Sequence, residues 1–233
     1  MSSPIIGGLN EKSLHRQLKE HYSTPESLVE EKVAGYVIDV VNPDELIEIQ
    51  TSNFSGIKKK LAALLLEHRV RIIYPIAAET TISVYNRDNS LRSRRRSPKR
   101  ENISSAASEL LYIADLLPHP GLSVELPVIR QEEIRYDDGK GSWRRRGVSI
   151  EDRLLVEIIE SRLFSDTRGY LELLPPDLPS PFGNRELAAA LSGINKGGRT
   201  RLAGQITWLL RKLELITVTG KDGKRMLFEI SAY

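Results

Sequence analysis

Apolar residues fall four apart after Asn10: Leu14 and Leu18 share one face of residues 11–22, which predicts a helix capped by Asn10. Residues 33–41 are short and β-branched, and residues 45–51 alternate apolar with polar. Asn42, Pro43 and Asp44 lie between them, so the pair predicts a hairpin. Ile57, Leu61, Leu64 and Leu65 place a helix over 55–68. The apolar run 70–77 predicts a buried strand, with 80–85 as one more. Ala106, Leu110, Ile113, Ala114 and Leu117 form a helical stripe within 104–117, and residues 122–135 look extended. From 150 to about 164, Leu154, Leu155, Ile158 and Ile159 share a helical face. Four prolines within 174–182 predict an extended connector. A short helix follows at 184–191, then a turn at 195–199. A longer helix comes at 200–213, with Leu202, Ile206, Leu209 and Leu213 inward. The last element is a hairpin over 215–231, turning at Gly220–Gly223.

The order helix, hairpin, helix, strand implies an α/β (α+β) fold, a mixed sheet flanked by helices, over residues 1–147. Three helices and a basic-tipped hairpin over 148–233 have the layout of a winged helix. Of 233 residues, 40% are hydrophobic and 28% charged, enough to bury a core. There is no cysteine, which excludes disulfides, thiolate zinc sites, iron–sulfur clusters and cysteine nucleophiles. No apolar run of about 18 residues is present, and residues 1–9 are too short and uncharged for a signal peptide, so a cytoplasmic protein with no membrane segment is expected.

The net charge of +3 is unevenly spread: −2 over 1–86, +4 over 87–147 and +1 over 148–233. Arg87, Arg92, Arg94, Arg95, Arg96, Lys99 and Arg100 form one cluster, opposed only by Asp88, and Arg144, Arg145 and Arg146 form a second behind Trp143. Like-charge blocks are solvated loops unless a polyanion neutralises them. Arginine suits phosphate forks, which favours nucleic acid, DNA ahead of RNA. Residues 97–100 (Ser-Pro-Lys-Arg) read either as an ordered phosphate-binding turn or as part of a flexible loop.

Asp39 and Glu48 stand nine residues apart on the two strands of the first expected hairpin and can share one face. Hard divalent ions such as Mg2+ or Mn2+ take oxygen ligands of this kind, and the backbone carbonyl of Ile49 would add another. Such an ion acidifies water and stabilises the charge that develops in phosphodiester hydrolysis. Asp39, followed by Glu48-Ile49-Gln50, a helix and an apolar strand, resembles the PD-(D/E)xK nuclease superfamily, which includes restriction endonucleases and Holliday-junction resolvases. The resemblance covers about residues 10–86. It implies a restriction-endonuclease-like fold, Mg2+ or Mn2+ held by Asp39, Glu48 and the carbonyl of Ile49, and, by analogy, a homodimer. Glu11 stands where many members carry an additional acid, with Glu30 and Glu31 as alternatives. Gln50 occupies the position where lysine is usual. A lysine moved to the next helix would replace it, Lys58 first among Lys58, Lys59 and Lys60. Alternatively, the fold has lost its chemistry and serves as a DNA-binding regulator.

The C-terminal part resembles winged-helix DNA-binding domains. Such modules imply that the helix over 200–213 enters the major groove, with Arg199, Arg201 and Gln205 near its start. Lys221, Lys224 and Arg225 would then line the wing. The competing reading is a winged helix used for protein contact. His15, His21, His68 and His119 lack metal-ligand spacing and read as surface or capping residues. Residues 197–200 lack the P-loop frame. Trp143 and Trp208 read as core anchors.

Overall fold

A computed structural model describes residues 12–193 and 196–232. The chain is mixed α+β. A large mixed sheet carries helices on both faces, and a two-stranded sheet lies near the C-terminus. The first helix, α1 (Ser13–Tyr22), buries Leu14 and Leu18 as their spacing requires. Asn10, its expected cap, lies outside the described residues.

Residues 28–41 form a hairpin of β1 (Leu28–Val33) and β2 (Tyr36–Val41), so the strand expected at 33–41 begins inside a turn. Ala34 and Gly35 both have positive φ, +49° and +83°, the two-residue geometry that matches strand twist. The expected hairpin to β3 (Leu46–Ile49) is present, closed by Asn42 N–H donating to the Glu45 carbonyl at 3.0 Å.

A 3-10 turn at Phe54–Gly56 leads into α2 (Lys58–Leu64). Next come β4 (Val70–Ile73) and β5 (Ile76–Tyr85), which both run parallel to β7 (Leu122–Asp137). Because β8 (Val148–Phe164) lines β7 along residues 124–137, β4 and β5 share the opposite edge of β7 as one interrupted strand. Strand β3 pairs with β4, and β6 (Leu91–Arg96) pairs with β5.

Four expectations differ from the observed fold. The helix expected over 150–164 is strand β8. Its pairing with β7 shifts register between Val128/Ile129, Arg130/Gln131 and Ile134/Arg135, and each time β8 carries the extra residue. A bulge reverses the inside–outside alternation, so Leu155 and Ile158, three apart, both pack on the cluster under α1. That spacing imitates a helix. The boundary expected at 147/148 therefore falls within the β7–β8 hairpin, and β8 belongs to the sheet. The arginine loop expected at 87–100 includes an edge strand, β6, whose residues are all exposed; charge on an edge strand keeps it from pairing with other chains. The helix expected over 104–117 is broken into 3-10 turns around the four-residue α3 (Ala107–Leu110).

The C-terminal elements are α4 (Asn184–Ala190), α5 (Lys196–Lys212), and the hairpin β9 (Ile216–Asp222) and β10 (Arg225–Ile230). Among the described residues of 148–233, two α-helices, not three, precede the hairpin. Leu202, Ile206 and Leu209 of α5 and Phe228 of β10 belong to the same buried cluster as Ile38, Leu46, Ile72, Val124 and Leu126 of the large sheet, with Leu61 and Leu64 of α2. A second, smaller cluster lies on the other face under α1: Leu14, Leu18, Val40, Ile47, Ile49, Ile73 and Ile129. Among the described residues, no helix is long and apolar enough to cross a membrane.

Candidate functional site

The β2–β3 ladder pairs Val41 with Leu46 and Val40 with Ile47. One step on, Asp39 stands opposite Glu48, where regular pairing stops. Asp39 fills the opening with its side chain: Oδ2 accepts the Ile49 N–H at 2.8 Å in place of a ladder carbonyl. The Ile49 carbonyl lies 3.1 Å from His15 Nε2 of α1, which also sits 3.4 Å from Asp39 Oδ2. A carbonyl only accepts, so Nε2 carries a proton there.

Glu48 has the sheet parity of Leu46, opposite to that of Ile47 and Ile49, and meets α2. Its residue is 2% exposed. The Lys60 ammonium lies against Oε1, and the same ammonium donates to the Val37 carbonyl at 2.5 Å. Lys60 and Glu48 therefore form a largely buried ion pair, the ammonium in direct contact with Oε1. Burial pushes Glu48 up to about 7, and the Asp39 charge adds to this, against the pull of Lys60. Burial also pushes Asp39 up, but the His15 ring and the Ile49 N–H outweigh it, so this carboxylate is held below its ordinary range. Two carboxylates a strand apart are thus driven in opposite directions, a pattern concentrated at functional sites.

Two carboxylates and an adjacent carbonyl offer oxygen atoms of the kind a hard divalent ion takes, with Glu48 Oε1 already against the Lys60 ammonium and the Ile49 carbonyl against His15. Among the described residues, no group of three or more His, Asp or Glu side chains is spaced to hold a metal. A divalent ion at this place would have to be held by the two carboxylates and the Ile49 carbonyl alone.

The structure brings together Asp39, Glu48 and Ile49, and adds His15 and Lys60. It does not bring in Lys58, whose ammonium pairs with Asp115 at 2.8 Å on the surface. Gln50 is half-exposed just past β3, its N–H extending the ladder to the Ile73 carbonyl. Glu11 lies outside the described residues. Glu30 pairs with Lys19 at 2.6 Å, away from Asp39's oxygens. His15, expected to be a surface or capping residue, is at the site. Its neighbour Leu14 is buried, which places the ring at the rim of the α1–sheet contact; the helix pattern alone carried no signal that the rim faces Asp39.

The basic residues fall into two surfaces. Arg87 donates to the Asp138 carbonyl at 3.0 Å and Arg92 pairs with Asp137, so the β5–β6 and β7–β8 hairpins lie side by side, while Arg94, Arg95 and Arg96 run back along β6 opposite residues 81–83. Arg94 reaches Glu132 at 3.4 Å; Arg95, Arg96 and Arg100 are exposed; Lys99 pairs with Glu101 at 2.5 Å. Arg144, Arg145 and Arg146 are exposed at the β7–β8 tip.

At the C-terminus, Arg185, Trp208, Arg211, Lys224, Arg225 and Met226 line a hollow of about 430 Å³ between α4, α5 and the hairpin. Arg201 and Lys221 are exposed near this module's surface and Gln205 is half-buried. Arg199 turns inward instead, donating to the Leu191 carbonyl at 3.3 Å with its Nε buried. Trp143 and Trp208 are not core anchors: they are 83% and 52% exposed.

Residues 12–165 match the family described as "Domain of unknown function (DUF8091)", a span that ends where β8 ends. A protein of Treponema pallidum (strain Nichols), titled "Uncharacterized protein", is 33% identical over 224 residues, covering 96% of this chain and 86% of its own. No solved structure matches. With two-thirds of its length inside the family match, the chain belongs to the DUF8091 family.

Proposed function

We propose that the protein is a metal-dependent nuclease of the PD-(D/E)xK type that acts on nucleic acid, DNA first. One observation carries the reading: an aspartate, a glutamate and a lysine from β2, β3 and α2 meet where two strands part, with the lysine supplied by Lys60 and not by position 50. Asp39, Glu48 and the Ile49 carbonyl would hold Mg2+ or Mn2+. When bound, such an ion supplies Lewis acidity at a phosphodiester oxygen.

The chain's own residues do the rest. The Ile49 N–H and His15 keep Asp39 ionised and fix its orientation. Lys60 holds a positive charge beside Glu48, placed to neutralise phosphate charge and to orient the attacking water. The arginine surfaces at the hairpin tips and the basic hollow at α5 would hold the phosphate backbone. The C-terminal helices and hairpin serve in this reading as a winged-helix-like DNA-binding module.

A second reading, a nuclease-fold binder without chemistry, draws on the closure of Glu48 by Lys60 and on Gln50. Incubating the full chain with plasmid and single-stranded DNA, and with RNA, separates the two. The proposal expects cleavage that needs Mg2+ or Mn2+ and is lost in Asp39→Ala and Glu48→Gln. No cleavage of any form with either metal would overturn it in favour of the binder.

A further inference from the structure

We infer that Trp143, at the tip of the β7–β8 hairpin, is a stacking platform for an unpaired nucleobase; this deepens the nucleic-acid reading above and rests on it. An indole that is 83% exposed contributes little to folding where it stands. The turn that carries it is nevertheless rigidly built. Gly141 N–H donates to the Gly147 carbonyl at 2.8 Å, Arg145 N–H to the Ser142 carbonyl at 2.9 Å, and Arg146 N–H to the Trp143 carbonyl at 3.0 Å. Arg145 also ties its guanidinium to the Val148 carbonyl at 3.2 Å. Gly147 has φ +81°, and a Cβ on Gly141 would fall 1.9 Å from the Val148 carbonyl oxygen, so glycine is required at both. A large flat ring is thus presented to solvent on a fixed support.

The surroundings select the partner. The Arg144 guanidinium sits 5.5 Å from the indole centroid, within cation–π range. Arg144 and Arg146 have no ion pair among the described residues. The neighbouring β5–β6 hairpin adds the exposed Arg87 and Arg92 at the same end of the sheet, against the Asp138 carbonyl and Asp137. Apart from Trp143, residues 138–146 contain no large apolar side chain. A membrane-inserting loop would carry more apolar surface, and the core of a protein interface is depleted in charge. Uncompensated arginines around one aromatic face match single-stranded nucleic acid, where each base offers a π face and each phosphate a charge. In a closed duplex the base faces are already stacked, so the ring finds its partner only in unpaired segments.

The test uses the full chain in EDTA, where cleavage cannot occur, with a labelled single-stranded oligonucleotide and a blunt-ended, fully paired duplex of equal length. Trp143→Ala is expected to weaken single-strand binding roughly 5- to 150-fold, the range for loss of one stacked base. Trp143→Phe is expected to retain most of the affinity, and duplex binding to stay within about twofold. Unchanged single-strand affinity in Trp143→Ala overturns the stacking role while leaving the nuclease reading intact. Wild type binding neither oligonucleotide at low salt overturns the nucleic-acid reading itself. Trp143-dependent binding to phosphatidylserine-containing vesicles, with no oligonucleotide binding, assigns the tip to a membrane and overturns the inference.

Discussion

Glu48→Gln removes one charge from a site where folding opposes that charge, and the consequence for stability can be worked from the structure. Burial raises the Glu48 carboxyl from its ordinary 4.5 to about 7. The folded protein then holds a proton that the unfolded chain has released, so stability falls as pH rises from about 4.5 to about 7 and stays lower above it. The difference of about 2.5 units, at about 1.36 kcal/mol each, is about 3 kcal/mol. Glutamine keeps the shape and cannot titrate. At pH 8, Glu48→Gln should therefore be more stable than wild type by about 3 kcal/mol relative to the same comparison at pH 4.5. For a chain of this length that corresponds to roughly 6–12 °C in Tm. Urea or thermal unfolding of both proteins at the two pH values measures it. A stability difference that does not change with pH, or that favours wild type more at pH 8, would refute a buried carboxylate held near neutrality. Stability gained together with activity lost is the expected signature of a strained functional group.

Lys60→Ala should lower cleavage by about 10²- to 10³-fold, the usual effect of removing one electrostatic stabiliser, while Lys58→Ala, which breaks a surface pair with Asp115, should leave it unchanged; the ratio of the two rates is the readout. Asp39→Ala should destabilise the fold by about 1–3 kcal/mol, because the Ile49 N–H loses its acceptor, and denaturant unfolding at pH 7 measures the loss. The wild-type advantage over Asp39→Asn should fade in acid, since a depressed carboxylate contributes above its unfolded pKa and loses that contribution as pH falls through the folded one. Replacing Arg144, Arg145 and Arg146 together by Ser should flatten the salt dependence of single-strand binding by up to about 2 in log–log slope, read by titration across 50–200 mM salt.

Asp39 and Glu48 were legible because a period-2 pattern and turn residues between two short runs fix both a hairpin and its facing positions. The lysine was harder. Lys58, Lys59 and Lys60 lie about 100° apart around a helix, and the apolar positions Ile57, Leu61, Leu64 and Leu65 flank both Lys58 and Lys60. Periodicity could not choose between them; the packing of α2 on β3 does. His15 reaches Asp39 only because α1 lies across the sheet, a tertiary fact without a local pattern. The β8 misreading has a similar origin, since three bulges scramble the alternation that marks a strand. Strand β6 was hidden because Leu-Arg-Ser-Arg-Arg-Arg has no apolar alternation, and its conformation comes from backbone pairing with β5. Arg87 and Arg92 reach the end of the sheet that carries Arg144, Arg145 and Arg146 for the same reason: β5 and β7 run parallel and turn into their hairpins at one end.

In the proposed function, Asp39, Glu48 and the Ile49 backbone form a cation site with Lys60 beside it. Anomalous diffraction from crystals of the full chain soaked in Mn2+ tests it most directly. A single strong peak is expected between the two carboxylates and the Ile49 carbonyl, absent in Asp39→Asn crystals soaked in the same way. Saturating Mn2+ with no peak there, or a peak that survives Asp39→Asn, would contradict it.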